Sequence, residues 1–143
     1  RSNGLARADR LKHRRLIRPL FDRKQALSVA AGSIRLLYRI VDVDLLPPGT
    51  HVQAAFLPGK RSNAVRRNRV RRALREVYRV HRHGLVDLAV RSGLGVTVGI
   101  LFRSTDDSET SAAVARDLPR SLDRLCERLA DTVDASNTPD EAA

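Results

Sequence analysis

Residues 60–82 read KRSNAVRRNRVRRALREVYRVHR. Ten of them are Lys or Arg, and one, Glu76, is acidic. At 100° per residue, Val70, Ala73, Leu74 and Val77 recur at the i, i+3, i+4, i+7 spacing of a helical stripe that can be buried. Asn68, Arg72, Arg75, Arg79 and Arg82 then fall on the far side, flanked by Arg69 and Arg71. The stretch therefore predicts a helix with one face that packs and one that presents guanidinium groups.

The start of this helix sets a local conflict. Asn63 or Ser62 is the expected N-cap, which puts Arg66 and Arg67 in or near the first turn. The N-terminal end of a helix is partially positive, so cations there cost roughly a few tenths of a kcal/mol each. A chain that accepts the loss has a use for those groups, and an anionic ligand is the natural one. Basic positions spread over several turns suit a polyanion with many phosphates better than one small acid. Asn68, with a donor and an acceptor, can orient a neighbouring Arg or read a base or ribose edge.

The whole chain agrees with this balance. Its 143 residues suffice for one domain with a modest core, and its net charge of +11 at a pI of about 11.3 implies a nucleic acid or another anionic surface as partner. Residues 1–105 hold 23 basic and 6 acidic side chains, whereas residues 106–143 hold 4 basic and 10 acidic. No apolar run is long enough to span a membrane, and no signal-peptide pattern is present. A lone Cys126 among leucines reads as a core thiol without a disulfide, which suits the cytoplasm. The chain contains no Met, so it is expected to begin downstream of a natural start.

In order along the chain, residues 1–10 read as a flexible basic arm, 11–133 as one domain and 134–143 as an acidic disordered tail. Within 11–24, Leu16, Ile17, Leu20 and Phe21 share one side of a short helix. Pro19 is tolerated only near its start, so the helix begins no earlier than about Arg14. Residues 26–32 fit a short strand without deciding it. In 34–41, Ile34, Leu36, Tyr38 and Ile40 alternate with Arg35, Leu37, Arg39 and Val41. Pro47-Pro48-Gly49 marks a turn into a strand over 51–57, and the two strands are expected to pair as an antiparallel hairpin. The basic helix should stop near His83-Gly84. Residues 85–90 take no assignment, and GVTVGILF over 95–102 is a buried strand. Residues 104–111 form a polar loop. Leu118, Leu122, Leu125, Leu129 and Val133 line a last helix, with Pro119 in its first turn or at a kink. The sum is an α+β sandwich: a mostly antiparallel sheet of about four strands with three helices, in α-β-β-β-α-β-α order.

No catalytic constellation accompanies this pattern. His13, His51, His81 and His83 lie among arginines with no partner at metal-ligand spacing, and surface histidines are the simpler reading. Asp42 and Asp44 suit a polar turn better than a cation site. There is no phosphate loop or dinucleotide fingerprint. The composition suits an RNA-binding protein, a ribosomal protein included. Two strands before the basic helix argue against a DNA-binding helix-turn-helix.

The run Ala64-Val65-Arg66-Arg67-Asn68-Arg69-Val70-Arg71-Arg72-Ala73-Leu74-Arg75-Glu76 resembles the signature of the protein subunit of bacterial ribonuclease P: A-V, any residue, R-N-R, an aliphatic, two basics, then L-R-E. A weaker resemblance runs over about residues 11–129. Ser62 departs from it, standing where the family usually has Gly, and 84–94 reads as an insertion. The resemblance implies a left-handed crossover from the strand pair to 95–102. It also implies a protein that does no bond chemistry itself but joins an endoribonuclease. In that assembly an RNA subunit, using Mg²⁺ held mainly by RNA, removes the 5′ leader of precursor tRNA. By the same resemblance Lys60, Arg66, Arg67, Asn68, Arg69, Arg71, Arg72 and Arg75 would meet ribonuclease P RNA. Ile17, Phe21, Leu36 and Tyr38 would line a cleft for the single-stranded leader, with Phe21 and Tyr38 stacking on bases; the alternative is that Phe21, Leu36 and Tyr38 are simply core. No DNA or membrane partner is expected.

Overall fold

A computed structural model describes residues 5–59, 63–103 and 110–137. Four strands form one sheet in the order β1-β2-β4-β3: β1 Leu27–Ala31, β2 Ile34–Val41, β3 Val52–Leu57 and β4 Gly95–Phe102. β1 and β2 are an antiparallel hairpin closed at Ala31 and Ile34, with Gly32 at φ +56° in the turn. β2 pairs antiparallel with β4, while β3 pairs parallel with β4. The expected β2–β3 hairpin does not form, because β4 lies between its two strands. β4 lies at the centre of the sheet, and its residues are buried on both faces.

A parallel pair needs a crossover of a dozen residues or more. Here it is α2 Ala64–His81 followed directly by α3 His83–Ser92. α3 contains the unassigned 85–90 segment, and Leu85 and Ala89 are its buried residues. Gly84 is therefore inside a helix rather than beyond one. The left-handed stop falls at Gly93, φ +67°, where Gly93 N–H donates to Val90 O and Leu94 N–H to Ala89 O.

The main core lies on the sheet face bearing Ile34, Leu36 and Tyr38 of β2 and Val96, Val98 and Ile100 of β4. It is closed by Val70, Leu74 and Tyr78 of α2 and by Val114, Leu118, Leu122, Leu125 and Leu129 of α4 Thr110–Asn137. α4 starts well before the expected leucine stripe and holds Pro119 in its interior. The missing N–H of Pro119 would leave the carbonyl of Ala115 unbonded, and Ala115 is exposed to water. α4 also takes in residues 134–137 of the expected tail; 138–143 lie outside the described residues.

The other face carries a smaller core of Leu11, Leu20 and Ala55, with Leu16, Ile17, Leu37 and Leu57 packed on it. Its cover is α1 Arg14–Ile17, which tightens into a 3₁₀ turn at Arg18–Phe21. Pro19, in that turn, has no N–H for the α-helical bond to Arg15. Gly99 lets the turn come close: a Cβ there would stand 3.3 Å from Leu57 Cδ1 and 3.4 Å from Leu20 Cδ1. Of the expected flexible arm, residues 1–4 lie outside the described residues, and residues 5–10 are docked, with Leu5 buried. Leu11 N–H donates to Ala54 O, and Gln53 Nε2 donates to Ala8 O, docking the segment on β3.

One buried carboxylate ties the two ends of the fold. Asp117 of α4 accepts from Ser33 N (2.8 Å) and Ser33 Oγ (2.7 Å) in the β1–β2 turn, and from Arg116 Nε (2.9 Å). A Cβ on Gly32 would collide with this carboxylate at 2.5 Å. The Arg116 guanidinium and the Ser33 donors hold the Asp117 carboxyl well below the usual range, against the opposing effect of burial. A depressed folded pKa gives stability that is full above the unfolded value, near 4, and lost as pH falls towards the folded value.

Asp117→Asn should therefore destabilise the fold by about 1.5–3 kcal/mol at pH 7, the usual worth of hydrogen bonds to a charged group. Its denaturation midpoint should also vary less than wild type's below about pH 4, as urea melts across pH would record. A second pair tests the orientation of α2. Leu74→Ala, at a fully buried position, should cost roughly 2–5 kcal/mol, whereas Arg72→Ala, on the exposed face, should leave the melting temperature nearly unchanged.

Candidate nucleic-acid interface

α2 begins at Asn63, whose side chain accepts from Arg66 N at 2.9 Å. This satisfies one orphan N–H of the first turn but leaves Arg66 and Arg67 at the positive end of the helix. Val70, Leu74 and Tyr78 anchor the buried face, and Ala73 and Val77 pack beside them. Asn68, Arg69 and Arg72 are exposed, while Arg66, Arg67, Arg71 and Arg75 are half-buried. Asn68 Oδ1 accepts from Arg71 Nη1 at 3.3 Å, the orienting contact its amide allows. Lys60 lies outside the described residues.

The charge along α2 is graded. Near the C-terminal end, Arg79 pairs with Glu76 at 2.5 Å, and Arg82 pairs with Asp9 at 2.9 Å. Among the described residues the centre has no such compensation. Arg75 leans on Phe56, its guanidinium carbon 5.9 Å from the ring centroid, and Phe56 meets Tyr78 edge-on at 5.7 Å. Burial, then the nearby positive charges of Arg10, Arg71 and Arg72, push the Arg75 pKa down from its ordinary value. The Nε atoms of Arg10 and Arg75 are both buried with no hydrogen-bond partner among the described residues. The charges of Arg10, Arg71 and Arg72 thus bear on Arg75, where a phosphate would relieve the repulsion and meet the open Nε donors of Arg10 and Arg75.

Arg10 has no local signature in the sequence, where it falls in a run of arm-like residues. A long-range contact puts it here: Arg10 bridges to Ala54 as a short parallel extension beyond β3. A groove of about 610 Å³ continues from it, lined by Arg7, Lys12, His13 and Gln53 among others.

The expected cleft residues divide between the two faces of the sheet. Ile17 is half-buried in the smaller core and Phe21 is 58% exposed, both on the α1 side. Leu36 and Tyr38 are buried on the opposite face, inside the main core. In a strand of period two, a shift of one residue exchanges the faces, so Leu37 and Arg35 take the place expected for Leu36 and Tyr38. Burial raises the Tyr38 pKa, and the Arg128 guanidinium of α4 opposes that rise. The hollow that does form on the α1 side, about 210 Å³, is lined by Leu20, Phe21, Leu27, Arg35, Leu37 and Leu101, with Arg23 at its rim. Phe21 and Leu27, 57% exposed, give it an apolar surface open to solvent.

Other chemistry is sparse. Among the described residues no group of three His, Cys, Asp or Glu is placed to hold a metal ion. Asp42 caps a 3₁₀ turn by accepting from Asp44 N at 3.0 Å. Burial and the nearby Asp123 raise the Cys126 thiol pKa, so it is no ready nucleophile. No described helix is long and apolar enough to cross a membrane.

Comparison with known proteins bears on the same region. The structure of the Staphylococcus aureus RNase P protein superposes with a TM-score of 0.61 at 19% identity, covering 82% of this chain and 94% of that one. At that identity the match establishes the fold. No curated protein sequence matches the chain. The family model for ribonuclease P matches residues 5–126, from the docked N-terminal segment through the sheet and α2 into α4, and on this match the chain belongs to the ribonuclease P protein family.

Proposed function

We propose that this chain is the RNA-binding subunit of the ribonuclease P ribonucleoprotein. Family membership implies a part in that endoribonuclease and partnership with its RNA. The observation that carries the finer reading is the uncompensated cluster of Arg10, Arg71, Arg72 and Arg75. In the free protein these groups repel one another. Phosphate oxygens of structured RNA, met bidentately by guanidinium forks, would supply the missing charge and acceptors. Arg66, Arg67, Asn68 and Arg69 extend the same face towards the start of α2.

The hollow beside Phe21, Leu27 and Leu37 takes the 5′ leader of precursor tRNA. An open apolar floor with Arg23 and Arg35 at hand suits a single strand, whose bases stack without strong sequence choice while its phosphates stay solvated. The chain's role is to bind and orient. In this reading, which follows the family resemblance, the Mg²⁺ of the holoenzyme is held by the RNA; among the described residues no group of three His, Cys, Asp or Glu is placed to hold a metal ion. The half-buried lone thiol of Cys126 suits a reducing, cytoplasmic setting.

The deciding experiment is reconstitution with bacterial ribonuclease P RNA and precursor tRNA at low Mg²⁺. Added protein should raise cleavage of the leader, and unchanged cleavage would remove this reading. Single replacements of Arg69, Arg72 or Arg75 by Ala should weaken RNA binding and make the log–log salt dependence shallower by about 0.7–0.9 each. Titrations at several salt concentrations measure this directly. Phe21→Ala should weaken binding of precursor tRNA by about 1–3 kcal/mol and leave mature tRNA almost unaffected. By contrast, Tyr38→Ala should chiefly lower thermal stability, because its ring lies in the main core.

A further inference from the structure

A second basic concavity lies where β1, β2 and α4 meet, remote in sequence from the arginine face of α2. It has a volume of about 500 Å³, and among the described residues its charged lining is Arg35, Arg103, Arg124 and Arg128 against the carboxylate of Glu127. Three elements converge to build it. Arg35 comes from β2, Arg103 follows the end of β4, and Arg124 and Arg128 stand at i, i+4 on α4, so that they share one helical face. None of the four is in an ion pair within the described residues.

Two contacts fix the geometry. Arg124 donates to the carbonyl of Ala30 on β1, and Arg35 Nη2 donates to Ser28 Oγ at 3.4 Å. Both arginines are thus held along the outer strand of the sheet. Arg35 and Ser28 also line the apolar hollow beside Phe21, so the two concavities adjoin at β1. An apolar floor that receives bases leads into a pocket whose chemistry receives phosphates.

We propose that this arginine pocket binds the phosphodiester backbone of single-stranded RNA, taking the strand that leaves the hollow and passes around the edge at β1. This rests on the reading of the hollow as the leader site, and it lengthens that site towards the distal, 5′ part of the leader. Arg35 marks the passage from one compartment to the other, and Arg103, Arg124 and Arg128 hold the phosphates beyond it. The pocket therefore distinguishes long leaders from short ones by charge rather than by base.

The test uses holoenzyme reconstituted with wild-type protein or with Arg124→Gln/Arg128→Gln, and precursor tRNAs whose leaders shorten stepwise to a few nucleotides. Each folded protein is compared with itself on two leaders, so any general loss of stability cancels. Wild type should bind long-leader precursor more tightly than short-leader precursor. The double variant should lose about tenfold on the long leader at 0.1 M salt and show a salt slope shallower by roughly 1.4, the worth of two single-strand phosphate contacts. On short-leader precursor and mature tRNA it should match wild type. An equal loss on every substrate would overturn the proposal and assign the pocket to the RNA subunit or the tRNA body. No loss on any substrate would overturn it as well, leaving an unused basic surface. If wild-type protein raises cleavage at low Mg²⁺ yet is indifferent to leader length, the lengthened track fails while the subunit assignment stands. If wild-type protein has no effect on cleavage, both fail.

Discussion

The burial of β4 on both faces is the constraint on which the rest of this structure depends. An eight-residue strand of that kind is best covered at the centre of the sheet, and here it divides β2 from β3. Its parallel partner β3 can be reached only by a crossover, and α2 with α3 is that crossover. Packing then sets the rotation of α2. Val70, Leu74 and Tyr78 are fully buried against the sheet and α4. Each fully buried large apolar side chain is worth about 1.5–3 kcal/mol relative to exposure, far more than the few tenths lost by placing cations at the start of a helix. The arginine face is therefore held outward by the core beneath it.

The two faces of the sheet are covered unequally, and the proposed binding surfaces follow from that inequality. On one side long helices close a large core. On the other, one turn of α-helix and a 3₁₀ turn cover a few residues, and Gly99 lets Leu20 settle against the strands. The thin cover leaves Phe21 and Leu27 open to solvent at the edge of the sheet. The same N-terminal segment carries Arg10 across to Arg75, where burial and like charges work against the guanidinium. Both arrangements oppose the ordinary preferences of a free domain, and the proposed RNA partner would reverse both, by stacking in one case and by phosphate pairing in the other.

Local patterns in the chain were legible where the governing interaction is local. The apolar stripe of α2, its cap at Asn63, the contact between Asn68 and Arg71, the Pro47-Pro48-Gly49 turn and the β4 strand follow from neighbours a few residues apart. In that turn Thr50 N donates to Pro47 O at 2.9 Å, with Gly49 at φ +82°. Pairing was not legible in this way. Both β2 and β3 are short alternating strands on either side of a turn, and nothing between them announces that a strand some forty residues later will part them. α3 was hidden by Gly84, which resembles a helix stop but lies inside a second helix anchored by Leu85 and Ala89. The cleft was displaced for a related reason. β2 carries large apolar residues on both sides, so its alternation alone does not say whether Tyr38 or Leu37 meets α1.

The sequence by itself determined an α+β chain of strong positive charge, a basic helix with one burying face, and a thirteen-residue resemblance to the ribonuclease P protein that the family match bears out. These depend on composition and on periodicities of 2 and 3.6, which any window of the chain carries. Only the tertiary structure decided the strand order, which side of β2 faces the hollow, the meeting of Arg10 with Arg75, and the convergence of Arg35, Arg103, Arg124 and Arg128. Each is a contact between residues far apart in the chain. Such contacts are selected by how the whole core closes, and no local preference of the residues involved encodes them.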